Sequence, residues 1–124
     1  MTSLTLSTLP HSWFIDIDGT IVVHNGHLNG GDRLLPGVRE FWEAIPAQDV
    51  IVLLSARKVE ETEMTLAFLR AQGLRFDHVL FGLPTGERIL INDRKPSGLT
   101  TAFAVNVVRD AGLSGVETSC EPAR

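Results

Sequence analysis

The sequence predicts an α/β domain of three layers, with a central, mostly parallel sheet between helices. Three observations lead there. Short apolar segments rich in β-formers alternate with longer stretches of helical periodicity. The apolar segments end abruptly on polar clusters, "DIDGT", "SAR" and "NDR". Those clusters, far apart in sequence, would share one edge, because ligands of open α/β sheets bind beyond the carboxyl ends of the strands.

Each element has its own signal. "WFIDI" reads as a buried strand, being short and rich in β-formers. The stretch "TIVVHNGHLNGGDRLLPG" follows as a flap, with a hairpin-turn signal at "HNG" and a second glycine-rich turn at "NGGD". Pro36 and Gly37 open the helix "GVREFWEAI", whose Val38, Phe41, Trp42 and Ile45 fall at helical spacing before Pro46 closes it. "DVIVLLSAR" carries a continuous apolar run from Val50 to Leu54, the pattern of a central parallel strand. "VEETEMTLAFLRAQG" reads as a helix with an acidic first turn, an apolar stripe of Met64, Leu66, Phe68 and Leu69, a late Arg70, and Gly73 as its cap. "HVLFGLP" and "ERILINDR" read as two further strands, and "LTTAFAVNVVRDAG" as a last helix ending at Gly112. The expected domain therefore spans residues 1–112, with residues 113–124, "LSGVETSCEPAR", as a frayed tail that has little to bury.

Composition bounds the function. A chain of 124 residues supports one core, and 44% hydrophobic with 21% charged residues is a globular balance. Eleven basic against fifteen acidic side chains give a net charge of −4, which disfavours a nucleic-acid or anionic-membrane binder. Cys120 is the single cysteine, so neither an internal disulfide nor a cysteine-based zinc site is available. No signal-peptide pattern opens the chain, and no apolar run approaches the roughly 20 residues that span a bilayer, so a cytoplasmic location is expected.

Asp16 and Asp18 carry the chemistry. Side chains alternate along a strand, so the two aspartates can project to one side while Ile17 goes to the other. Their mutual repulsion is relieved by a cation, and an oxygen-only ligand set suits Mg²⁺ better than zinc. Gly19 permits a tight turn with backbone amides near a ligand, and Thr20 adds a hydroxyl.

These residues resemble the first motif of the haloacid dehalogenase superfamily, the Mg²⁺-dependent aspartyl phosphotransferases. "IVLLSAR" is similar to the second motif and "ILINDR" to the fourth, in the family's order. The resemblance implies a Rossmann-like fold and assigns roles. Asp16 would attack phosphorus and form an aspartyl-phosphate. Asp18 would be the general acid and base, with its backbone carbonyl on the metal. Ser55 would hydrogen-bond the phosphoryl group, with Gly19 and Thr20 near it. Asp93 would bind Mg²⁺ beside Asp16, and Asn92 stands where a second aspartate is frequent. Arg57, two residues after Ser55, resembles the arginine of an S-x-R variant found in the 3′-phosphatase domain of polynucleotide kinases and in capsule- or lipopolysaccharide-linked members. Such chemistry rests on positioning and charge neutralisation.

One position departs from the pattern. The family's third motif supplies a lysine, or sometimes an arginine, that holds the phosphate and offsets the nucleophile's charge; in many small members it lies in "fGKP". Here the same place reads "FGLP", with Leu83. Lys95, just past "NDR", is the preferred substitute, with Arg88, Lys58 and Arg57 as alternatives.

Plainer roles stand beside these. Ser55 is also suited to cap the following helix. Lys58 reads as a solvated cation, and Arg94 either braces its loop or meets substrate. His24 and His27 flank the flap turn and read as exposed.

Neither interval between the motifs has room for a separate cap domain. Capless members of the family resemble phosphatases of cell-surface glycan synthesis, often oligomers whose neighbours cover the site. The expectation is thus a small phosphorylated substrate, a sugar phosphate first, handled by a homo-oligomer (dimer or tetramer). The alternatives are a nucleic-acid 3′-phosphatase and a catalytically weak domain that binds a phosphorylated ligand.

Overall fold

The computed structural model describes residues 1–122. In chain order the elements are β1 (Thr2–Ser7), β2 (Ser12–Asp16), α1 (Val38–Glu43), β3 (Val50–Leu54), α2 (Thr62–Ala71), β4 (His78–Leu80) and β5 (Val116–Glu121). The architecture is mixed α/β with parallel sheets, compatible with a Rossmann-like arrangement. β2, β3 and β4 form a three-stranded parallel sheet in that order, with Phe14 opposite Val52 and Asp16 opposite Leu54. Parallel neighbours need crossovers, and the helical segments between these strands supply them.

The core lies on one face of this sheet. Ile15 and Ile17 from β2 and its extension join Ile51 and Leu53 from β3. Val38 and Trp42 of α1 and Leu66 and Leu69 of α2 close over them. Burial of such side chains stabilises by roughly 1.5–3 kcal/mol each relative to exposure. α2 ends as its glycine foretells: Gly73, at φ +79°, lets Leu74 N–H reach the Leu69 carbonyl at 3.1 Å and its own N–H reach Arg70 at 2.9 Å.

The opposite face is only partly covered among the described residues: Val52 is buried there at 8% exposure, but its neighbours are not. Phe14 and Leu80, which point there by strand alternation, are 53% and 50% exposed. The expected final helix, "LTTAFAVNVVRDAG", is not formed; residues 99–110 run as irregular chain. Its Thr100, Thr101, Val105, Val107 and Val108 are β-branched, and that run is weakly helical without a surface to pack on. Nor does "ERILINDR" form a strand, because no neighbouring strand pairs with it. The expected strand "HVLFGLP" is reduced to the three residues of β4.

The tail is corrected as well. Residues expected to fray form β5, which pairs in parallel with β1 from Thr2↔Val116 to Ser7↔Glu121. Leu113 enters the core at 6% exposure and anchors the approach to that strand. β1 itself alternates Leu4 and Leu6 with Ser and Thr, a half-buried strand pattern in a stretch from which no element was expected. The last two positions of the expected tail, 123 and 124, lie outside the described residues.

Candidate functional site

β2 and β3 end side by side, so Asp16 is registered with Leu54 and Ile17 N–H bonds the Leu54 carbonyl at 3.1 Å. Asp16 and Ser55 therefore sit at adjacent strand ends, as expected for two polar clusters of one parallel sheet. The chain then turns sharply at Gly19, φ +79°, where Gly19 N–H meets the Val22 carbonyl at 2.8 Å. A side chain at Gly19 would lie 3.3 Å from Cγ of Arg109, and the positive φ disfavours one in any case.

Asp16 is held from two directions. Thr20 Oγ1 donates to its Oδ2 at 2.9 Å, and Arg88 Nη1 donates to its Oδ1 at 2.7 Å. Its side chain is 35% exposed, so the carboxylate still faces solvent. Arg88 is the cation brought to Asp16. Lys95 instead lies exposed in a turn, where Gly98 N–H bonds its carbonyl at 2.8 Å and its own N–H bonds Leu99 at 3.2 Å.

Asp18 is committed elsewhere. Arg57 grips it in a fork, Nε to Oδ2 and Nη2 to Oδ1, both at 2.9 Å. The same guanidinium takes Asp32 in a second fork at 3.0 and 2.8 Å and reaches Thr65 Oγ1 at 2.9 Å. All five guanidinium donors are thereby used. Burial opposes Arg57's charge, but the two carboxylates outweigh that and raise its pKa. Burial likewise pushes the Asp18 carboxyl up. The Arg57 fork and charge, the Asn25 N–H and nearby His27 more than offset this and hold it below the usual aspartate value.

Ser55 is buried, and its Oγ accepts the Arg57 N–H at 2.9 Å. It does not cap α2, which begins after a one-turn 3₁₀ segment, Val59–Glu61. Instead it shapes the turn that aims Arg57 inward. Lys58 and Arg94 are exposed. His27 differs from the exposed reading: its side chain is 6% exposed and its Nε2 lies 2.5 Å from Glu61 Oε2, seating the flap against the start of α2.

Asn92 and Asp93 belong to a different cluster. Asn92 Nδ2 donates to Thr101 Oγ1 at 3.0 Å, and the Thr101 hydroxyl donates to the Asp93 carbonyl. Among the described residues no group of three or more His, Cys, Asp or Glu side chains comes together as a metal set. Asp16 and Asp18 are already engaged by arginines, and Asp93 does not join them. As arranged, this donor set does not fit a magnesium ion.

Three residues of the site escaped sequence reasoning. Asp32 sits in the glycine-rich "NGGD" turn, where an aspartate reads as turn chemistry, yet its side chain is 5% exposed. Thr65 is buried on α2, with a side-chain hydroxyl that reads as helix surface. Asp110, at φ +63°, bonds the Gly19 carbonyl through its N–H at 2.9 Å and accepts the His24 N–H at 2.8 Å. No local pattern links positions 19 and 110. A groove of about 790 Å³, lined in part by Leu6, Trp13, Phe41 and Cys120, involves none of the candidate site residues.

Compared with known proteins, the chain matches no family model, no curated protein and no solved structure. Among the described residues no helix is long and apolar enough to cross a membrane.

Proposed function

We propose that this chain is a capless relative of the haloacid dehalogenase superfamily that hydrolyses a small phosphomonoester, a sugar phosphate first, through Asp16. One observation carries the reading. A solvent-facing carboxylate stands at the end of a parallel strand, oriented by the Thr20 hydroxyl and charge-balanced by Arg88 at 2.7 Å. Attack by an Asp16 oxygen forms a P–O bond while the bond to the leaving oxygen breaks, and the leaving oxygen takes a proton from solvent, which the attacking water of the second step gives back. Water then attacks phosphorus, releases phosphate and regenerates the carboxylate. Arg88 serves both steps by offsetting charge on the carboxylate and the phosphoryl oxygens. Magnesium enters as an experimental variable only, since the donors are not arranged for it.

Hydrolysis of an aryl phosphate, with and without added Mg²⁺, tests the reading against Asp16→Asn. Loss of turnover in the folded variant is expected; turnover at the wild-type rate removes Asp16 as nucleophile.

A second reading has its own observation. Asp18, with its pKa lowered and both oxygens on Arg57, is ionised and tied down, the opposite of what a general acid needs. This favours a domain that binds a phosphorylated ligand with little turnover. A wild-type protein that hydrolyses nothing across a phosphomonoester panel, yet melts higher with phosphate or vanadate, would select it.

A further inference from the structure

Residues 88–109 form an arm that the rest of the molecule leaves largely exposed, apart from Val107 near its end, which packs against the core. Its two ends are fixed at the carboxyl end of β2: Arg88 on Asp16 at 2.7 Å, and Asp110 N–H on the Gly19 carbonyl at 2.9 Å. Between them the chain doubles back through the turn at Lys95–Gly98. Ile89, Leu90 and Ile91 are 83%, 56% and 91% exposed, and Phe103 and Val108 are also in water. Among the described residues, no backbone N–H from Ile89 to Arg94 donates to a backbone carbonyl. A β-forming segment with bare amides and bare apolar side chains is unusual for an isolated monomer.

The same molecule carries the complement. Among the described residues β2 pairs with β3 on one side only, so its other edge is open, and Phe14 and Leu80 lie half exposed on the partly covered face. Charge follows the same division. The arm holds Arg88, Arg94, Lys95 and Arg109 against Asp93 alone, while the rest of the chain has 7 basic against 14 acidic residues. An apolar, positive arm and an apolar, negative body suit each other.

We propose that the arm of one copy docks on the open edge of β2 and the Phe14 face of a second copy, with Ile89–Asn92 adding as a strand. A two-fold arrangement satisfies both arms and both edges at once, and exchange of an element between copies is an economical route to such a dimer. Its own sheet is not the occupant: among the described residues no backbone bond joins residues 89–94 to β2, and Phe14 stays 53% exposed. This inference is independent of the phosphoryl-transfer reading.

Light scattering on the full chain at tens of micromolar, with amide hydrogen exchange across a dilution series, tests it. The wild type is expected at twice the chain mass or a multiple of that, with Ile89–Asn92 amides slowing as concentration rises. The double variant I89D/I91D is expected at the monomer mass, with an unchanged circular dichroism spectrum. A monomeric wild type, an equally oligomeric I89D/I91D variant, or protection of residues 89–92 independent of concentration would overturn the proposal. The last outcome would make the chain's own sheet the partner. Should I89D/I91D not fold, the dilution series on the wild type decides alone.

Discussion

Arg88 meets Asp16 at 2.7 Å across 72 positions of sequence, and it does so from the first residue of the projecting arm. The contact places a cation against the carboxylate at the strand end that remains open to solvent, where the proposed reaction needs positive charge. Both side chains are about one-third exposed, so the pair contributes little to stability and its value lies in positioning.

The first prediction follows from that division of labour. Arg88→Ala should lower phosphomonoester turnover on the order of 10²–10³-fold, the usual cost of removing one charge-stabilising donor. Arg88→Lys should recover part of it, and Lys95→Ala should leave turnover close to wild type. Steady-state kinetics on the three variants would check this; a larger loss in Lys95→Ala than in Arg88→Ala would return the role to Lys95.

Arg57 makes the opposite prediction, since it is buried and fully engaged. Arg57→Ala strips two carboxylates of their partner and should destabilise by about 3–5 kcal/mol, as breaking a buried ion pair does. Arg57→Lys should also be costly, because an ammonium cannot grip two carboxylates in planar forks. Urea unfolding measures both. A loss below about 1 kcal/mol in either, the level of a surface pair, would show the cluster to be loosely held.

The fold was readable where an element's signal is local. The run Val50–Leu54 and the Gly73 cap each declare themselves within a few residues, and both stand where expected. Legibility ended where a segment's state depends on a distant partner. "RILIN" has strand chemistry, but a strand exists only when paired, and nothing in its own residues says that the β2 edge stays empty. β1 and β5 failed in the other direction, since each is weak alone and becomes a strand through the other end of the chain. At the site, Asp16, Thr20, Ser55 and Arg57 were visible as strand-end chemistry. Asp32 and Asp110 were not, because their roles come from tertiary closure over the flap.

That closure depends on Gly112. The chain returning from the arm passes so close to Pro36 that a Cβ on Gly112 would sit 2.0 Å from the Pro36 carbonyl oxygen, at φ +81°. Leu113 N–H bonds that same oxygen at 2.9 Å and carries its side chain into the core. Gly112→Ala must therefore move backbone as well as adopt a left-handed conformation, which alone costs about 1–3 kcal/mol. A thermal melt should show a loss above that strain, whereas Gly86→Ala, with open space around it and no positive φ, should be near neutral.

Acid should unfold the protein partly through Asp49. Burial alone would raise this carboxyl, but the Trp13 indole N–H at 2.9 Å, the His11 N–H at 3.0 Å and the His11 ring at 3.3 Å outweigh it and hold its pKa below the usual aspartate value. The unfolded chain therefore takes up the proton first as pH falls. Stability from Asp49 is complete above the unfolded-state value, about 4, and is lost as pH drops below it toward the folded value. Asp18 adds to the same slope in the same direction, through Arg57. Asp49→Asn keeps an oxygen for one donor and removes the charge. Its deficit in unfolding free energy should be largest near neutral pH and shrink as pH is lowered through about 4 toward 3. Urea titrations at a series of pH values, wild type against Asp49→Asn, would show that convergence. A deficit that stays constant across the series would mean that Asp49 titrates alike in both states, and that its three partners do not favour the ionised form.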